Sequence, residues 1–244
     1  MHKPQVIIEP ATLADWPQIE ATRINAFKHE PIVRRMEPVE KQPALDIRIA
    51  RGVNLRTREA PFDPPYYRFV KATLSSDPSK IVGSAFYWSP VDRTSTGGEL
   101  LPEEKAAKLE RAEKLERSKS SKLDFEDGDG FDMSFIDAFK KDIFEKRRDY
   151  FLGKPHWFLE LIYVHSDHQG QGVGKALLQW GIDQAESQGV PIYLEATEPG
   201  RPVYEKNGFR VVTWSSLPGK DGTEVGAVKW PCMVRDPTTK ASSA

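Results

Sequence analysis

The stretch from Trp157 to Ser187 confines this chain more tightly than any other. It opens with WFLELIYV (Trp157 to Val164), a run apolar except for Glu160. That composition fits a strand covered on both faces. It closes with Ala176 to Ser187, where Leu177, Leu178, Ile182 and Ala185 recur on one side of a helical spiral. Between them stands HSDHQGQGVGK, with glycines at 170, 172 and 174. Glycine lets the backbone approach a ligand and turn its N–H groups toward it, at an entropic cost that an ordinary turn does not require. The following helix adds unpaired amides and the positive end of its dipole. A diphosphate suits such a cradle.

Spacing separates the phosphate-binding motifs. A Walker loop needs glycine five residues before a Gly-Lys pair and then Ser or Thr; here Gln169 holds the first position and Ala176 follows Lys175. A dinucleotide fingerprint needs G-x-G-x-x-G, and these glycines run G-x-G-x-G, although Glu195 does lie about twenty residues downstream. The third pattern, Q-x-x-G-x-G/A, is satisfied by Gln169, Gly172 and Gly174.

The rest of the chain reads as mixed α/β. Val6 to Glu9 is β-prone, and Thr12 or Asp15 can cap a helix whose Leu13, Trp16, Ile24 and Phe27 share a side, with Ile19 at the edge. Pro31 interrupts that helix. Tyr66 to Leu74 and Lys80 to Trp88 flank a short polar turn, the pattern of an antiparallel hairpin. A strand at Ile192 to Ala196 and a short helix at Pro202 to Asn207, ended by Gly208, follow the central unit. Phe209 to Trp214 and Val225 to Val234 form the last two strands. Residues 89–154 interrupt this order as a charged insertion. Glu103 to Arg117 is a solvated helix, and Phe135, Ile136, Phe139, Ile143 and Phe144 mark a second one with a buried face.

Composition narrows the function. The chain has 244 residues and a formal net charge of −1, so it carries no overall basic footprint for nucleic acid. A single cysteine, Cys232, rules out an internal disulfide and a Cys-rich zinc site, and no His and carboxylate spacing suggests a metal. No segment has the apolar length of a membrane span or a signal peptide. A cytoplasmic protein is expected, with the nucleus equally compatible.

The segment LIYVHSDHQGQGVGKALLQW resembles the acetyl-CoA motif of the GNAT N-acetyltransferases, from strand through helix. VYEKNGFR, Val203 to Arg210, resembles that family's terminal "lYeklGF" element. Long inserts such as 89–154 are, by the same resemblance, seen in fungal members. The resemblance implies one N-acetyltransferase domain over residues 1–244. Its fold is a mixed, mostly antiparallel sheet with a central pair of splayed parallel strands and flanking helices. It implies acetyl-CoA as acyl donor and an amine, small-molecule or protein-borne, as acceptor. No metal, nucleic acid or membrane takes part, and the protein is a monomer or homodimer.

Residue by residue, the resemblance puts Ile162 and Val164 against pantetheine as though it were another strand. Gln169, Gly170, Gln171, Gly172, Val173, Gly174 and Lys175 hold the pyrophosphate. A backbone amide near Val164 serves the oxyanion. Tyr204 matches the tyrosine that stands beside the sulfur as general acid. Glu160, the one charge in its strand, is expected on the same pleat face as Ile162 and Val164, with a raised pKa that suits a general base. Glu195 is a second carboxylate for that task, and a role as a packed ion-pair partner competes for Glu160. Acidic residues around Asp124 to Asp132 offer a cationic amine some attraction. Two other classes stay open: an acyl-CoA-binding module that keeps the cradle without turnover, and an interaction protein working through the helix at 103–117.

Overall fold

The structure is a computed structural model and describes residues 5–59, 66–118, 130–219 and 227–238. Seven strands form one sheet: β1 (Val6–Pro10), β2 (Tyr67–Leu74), β3 (Gly83–Trp88), β4 (Trp157–Val164), β5 (Ile192–Glu195), β6 (Arg210–Leu217) and β7 (Val228–Arg235). Their order is β1-β2-β3-β4-β5-β7-β6. Every neighbouring pair is antiparallel except β4 and β5. The helices are α1 (Trp16–Phe27), α2 (Pro31–Met36), α3 (Leu45–Glu59), α4 (Pro102–Ser118), α5 (Met133–Phe151), α6 (Val173–Gln188) and α7 (Arg201–Lys206).

Each face of the sheet has its own cover. On one, α6 sets Val173, Leu177, Leu178, Ile182 and Ala185 against Ala72, Ala85, Leu159 and Leu194. On the other, Trp16 and Ile19 of α1 pack on Phe69, Phe86 and Tyr163. Further along that second face, Phe151 of α5 meets Phe158, Tyr193 and Val234. The apolar stripe expected for α1 is buried at Trp16, Ile19 and Ile24, but Leu13 is exposed. Leu13 belongs to a separate 3-10 turn, Leu13–Asp15, closed by the reciprocal bonds of Thr12 and Asp15.

The parallel pair is short. It matches Trp157, Phe158 and Leu159 with Ile192, Tyr193 and Leu194. Beyond that point Ala196 N–H donates to Pro231 O, which draws the chain after β5 toward β7. From Glu160 to Val164, β4 runs on against β3 alone. β4 also holds one residue too many for β3: Tyr87 pairs with Leu159 and Phe86 with Leu161, leaving Glu160 as a bulge. An extra residue reverses the alternation of faces. Leu159 and Ile162 therefore both lie on the α6 side, whereas Leu161 and Tyr163 face α1.

Most expected elements are present with adjusted ends. β3 starts three residues later than its apolar composition suggests, and α6 begins inside the glycine run at Val173 rather than at Ala176. The expected final turn falls partly outside the described residues. Helices α2 and α3 carry no signal strong enough to read in sequence, because Pro31 and the charged run after Leu45 blur their period.

The insertion is anchored at both ends. Arg93 N–H donates to Gly153 O at 2.8 Å, and Glu104 of α4 takes Arg93 in an ion pair. Asp132 caps α5 by accepting from Phe135 N–H and pairs with Arg35 of α2 at 2.6 Å. Its place as cap and ion-pair partner leaves Asp132 little to offer a substrate amine. The acidic residues at 124–129 lie outside the described residues.

Gly181 sits in the middle of α6 because Tyr87 leaves no room beside it. A Cβ there would stand 2.3 Å from Tyr87 Cε1, and the Tyr87 hydroxyl is fixed by donating to Leu177 O at 2.9 Å. Alanine gains up to about 1 kcal/mol of helix propensity over glycine. Overpacking a rigid core costs about 1–3 kcal/mol. Gly181→Ala should therefore lower the midpoint of urea unfolding. A midpoint equal to or above the wild type would show that Tyr87 yields freely.

Candidate active site

The end of β4 and the start of α6 are joined by a 3-10 turn, Ser166–His168, and then by the glycine run. Gly170 and Gly172 take φ of +72° and +92°, a left-handed backbone that an L side chain adopts only at a cost of about 1 kcal/mol or more. Gly172 is the N-cap of α6, and Ala176 N–H is the first to reach back, to Gly172 O at 3.0 Å. The amides of Val173, Gly174 and Lys175 thus have no intrahelical acceptor. A Cβ on Gly170 or Gly172 would meet nothing within 4 Å. The space in front of these amides is open, as an anion cradle requires.

Side chains hold the loop from outside. Gln171 Nε2 donates to Asp167 O at 3.0 Å, and Ser166 N–H donates to Asn25 Oδ1 of α1 at 2.8 Å. Lys175 is exposed. His165 and His168 are half-buried rather than solvated, and both ring nitrogens of His168 are buried without a hydrogen-bond partner.

The parted strands supply the second component. His165 N–H donates to Val82 O on the β3 side. Alternate residues of a strand point their peptide groups the same way. The peptide groups of Ile162 and Val164 therefore point toward the gap that β5 leaves. Val164 O is met there by the Gln169 side chain, whose Nε2 donates at 3.2 Å. Ile162 and Val164 thus lie on the edge of β4 that leads into the 169–175 turn.

Tyr204, on α7, closes the gap from the α6 side. It is buried against Phe209, with ring centroids 5.8 Å apart, and belongs to the main core. Burial pushes its phenol above the ordinary tyrosine range. The aromatic ring is thus both packing and a candidate donor.

The two carboxylates differ from expectation. Glu160 does not share a face with Ile162 and Val164, because it is the bulged residue. It is exposed, and its Oε2 accepts from Trp88 Nε1 at 2.5 Å. Glu195 ends β5 at the mouth of the gap. Burial is the main cause that pushes its carboxyl up to about 7; Arg147 opposes this, and Glu160 adds to it. Glu195 Oε1 and the Tyr193 hydroxyl are both buried, and Tyr193 lowers the carboxyl's affinity for a proton. Cys232 on β7 pairs with Glu195 and is buried with Ser215 Oγ at 3.6 Å.

Arg147 was not anticipated as a site residue. It stands four residues after Ile143 and four before Phe151, inside the buried stripe of α5, and that position was the available signal. Its guanidinium lies 3.9 Å from the Phe158 ring centroid. His156 stacks on Phe151 at 3.7 Å, and its pKa falls to about 4, chiefly through burial and with Arg147 and Arg93 contributing. It is neutral at physiological pH. Among the described residues no group of His, Cys, Asp and Glu is arranged to hold a metal, and no helix is long and apolar enough to cross a membrane.

A separate cavity of about 330 Å³ lies between α1, α2 and α3, walled by Ile24, Phe27 and Val33 and rimmed by Lys28, His29 and Arg34. Phe27 links it to the sheet through Tyr163, at 5.7 Å between ring centroids.

The sequence profile of the Acetyltransferase (GNAT) family matches residues 135–209, from the first turns of α5 to the residue before β6. Over that span the chain resembles the GNAT acetyltransferases. An uncharacterised N-acetyltransferase of Schizosaccharomyces pombe is 30% identical over 112 residues, 46% of this chain and 42% of that protein. A protein of Ajellomyces capsulatus named as a probable acyltransferase is 33% identical over 69 residues, 28% of this chain and 51% of that protein. The chain therefore spans about half the length of these relatives or less. In fold, the chain resembles arylalkylamine N-acetyltransferase 2 from Aedes aegypti, with a TM-score of 0.58 at 16% identity, covering 95% of this chain and 99% of that one.

The open space before Gly172 gives a direct test. Gly172→Val should weaken coenzyme A binding in calorimetry at least about tenfold, an affinity change of about 1.4 kcal/mol. The strained φ should cost only about 1–2 kcal/mol of stability. Unchanged affinity in a folded variant would exclude the glycine turn as the diphosphate site.

Proposed function

We propose that this chain transfers the acetyl group of acetyl-CoA to a primary amine by direct attack in a ternary complex. The observation that carries the reading is the unpaired edge of β4 running straight into a helix N-terminus with open amides. Pantetheine would pair with Ile162 and Val164 as an added strand. The amides from Gln169 to Lys175 would hold the pyrophosphate. The charged insertion is read as part of the same domain.

The chemistry has three tasks. The amine nitrogen attacks the thioester carbonyl, the carbon–sulfur bond breaks, and the nitrogen gives up a proton while the sulfur gains one. A backbone N–H near Val164 donates to the oxyanion as charge develops there. Tyr204 gives its phenolic proton to the departing thiolate. A buried phenol is a weak acid, but a thiolate forming in the same dry gap is a correspondingly strong base.

The amine's proton goes to a carboxylate. Glu160 was the first candidate, and its Trp88 contact and exposure now favour Glu195 for the task. A carboxyl poised at about 7 matches a general base working near neutral pH. The acceptor arrives from the face that carries α1 and α5.

Glu195→Gln should lower kcat by about 10²-fold or more, the usual contribution of a positioned base, and Glu160→Gln by much less. The reverse ranking would return the role to Glu160. Tyr204→Phe should lower kcat with little change in acetyl-CoA affinity; equal turnover would remove Tyr204 from the reaction. Because the base must be unprotonated, kcat/KM should fall as pH drops through about 7. A flat profile from pH 6 to 8 would exclude Glu195 as the base.

A further inference from the structure

The carbonyl of Val164 is the last acceptor on the open edge of β4, and it is already occupied. Peptide groups alternate in direction along a strand. His165 N–H donates to Val82 O at 2.9 Å, and Tyr163 O lies 2.8 Å from where a Cβ on Gly83 would stand, so both neighbours of Val164 aim their polar groups at the β3 side. Val164 O therefore points the other way, into the gap that opens where the β4–β5 pairing ends. There Gln169 Nε2 donates to it at 3.2 Å.

Gln169 reaches back because the 3-10 turn Ser166–His168 folds the chain toward the end of β4. The residue follows that turn in extended backbone, with ψ of 155°, and its N–H donates to Ser166 O at 3.4 Å. Other bonds hold the turn in place: Ser166 N–H on Asn25 Oδ1, and Gln171 Nε2 on Asp167 O. Gln169 is exposed, and its side-chain bond sits at the long end of the N–H···O range. The side chain can leave without taking the turn apart.

We propose that the Gln169 carboxamide is a self-cap: in the free protein it occupies the carbonyl that the pantetheine arm takes, and it swings away when coenzyme A binds. This rests on the reading of β4 as the pantetheine edge. The exchange is of like for like. Gln169 offers a carboxamide N–H, and the arm carries amides whose N–H groups make the same bond. A carbonyl on an open strand edge costs free energy when nothing meets it, so the cap stabilises the free protein. The coenzyme then gains only the difference between its own bond and the one it displaces. The backbone amide of Gln169 stays with the cradle throughout, and only the side chain moves.

Gln171 has the same chemistry in a different place. Its acceptor, Asp167 O, belongs to the 3-10 turn and not to the edge of β4. Loss of that bond loosens the turn, whereas loss of the Gln169 bond frees an acceptor for the ligand.

Calorimetry on the full chain tests this with two ligands: coenzyme A, and its 3′-phosphorylated ADP half, which carries the diphosphate and no arm. Gln169→Leu and Gln169→Ala should each bind coenzyme A about twofold to tenfold more tightly than the wild type, the range spanned by one net hydrogen bond. Their affinity for the armless nucleotide should be unchanged, and Gln171→Leu should tighten neither ligand. Coenzyme A affinity equal to or below that of the wild type in both Gln169 variants overturns the proposal; an equal loss for the two ligands would make Gln169 a brace of the turn. A wild type that binds the nucleotide as tightly as coenzyme A would instead remove the pantetheine pairing, and one that binds neither would remove the diphosphate site, each taking the cap with it.

Discussion

Strands β4 and β5 share three residue pairs and then part, and nearly everything the site offers follows from that separation. In a sheet every interior strand normally satisfies both of its edges, because an unpaired buried N–H or C=O costs about 1–3 kcal/mol. Here one edge of β4 is released where two local features meet. β5 stops at Glu195 and its continuation bonds to β7, while β4 bulges at Glu160. The gap is left with a half-satisfied polar wall, and Gln169 meets part of it by donating to Val164 O. A ligand with amide groups along an extended arm would complete the wall.

The same separation distributes the chemistry between the faces. The bulge reverses side-chain alternation, so Ile162 and Val164 turn toward α6 with Tyr204, while Glu160 stays on the α5 side with Tyr193 and Glu195. Acid and base candidates thus approach the gap from opposite sides. That arrangement suits a reaction in which one proton leaves the incoming nitrogen and another reaches the departing sulfur. Burial raises both Tyr204 and Glu195 above their ordinary ranges. In the proposed reaction this would make the carboxyl a usable base and hold the phenol's proton until a strong acceptor forms nearby.

The insertion changes how the acceptor side is built. α1 alone would cover β3 and β4 through Trp16 and Phe27. α5 extends the cover across β5, β7 and β6, placing Phe151 on Tyr193 and Phe139 on Trp230. Its ends are tied through Asp132 to α2 and through Gly153 to Arg93, so it reads as an integral layer. α4, largely exposed, touches the rest most clearly through Glu104.

How much of this the sequence carried depends on the range of the forces involved. The strand at Trp157–Val164, the glycine turn, the stripe of α6 and the short α7 were legible because each is set by local period or by glycine's backbone freedom. Those local signals also carried the resemblance to the GNAT acetyltransferases over residues 135–209. Three features were beyond them. The bulge at Glu160 exists only in register with β3, so the carboxylate's face could not be read from alternation alone. The poise of Glu195 depends on burial by α5 and on Arg147, some fifty residues away along the chain. α2 and α3 are held by ion pairs such as Arg23 and Arg48 with Glu37, which leave no apolar period to detect. The sequence by itself determined the glycine turn between β4 and α6. Tertiary structure decided which carboxylate is buried and which exposed, because charge, burial and strand register are properties of neighbours that the chain order does not make adjacent.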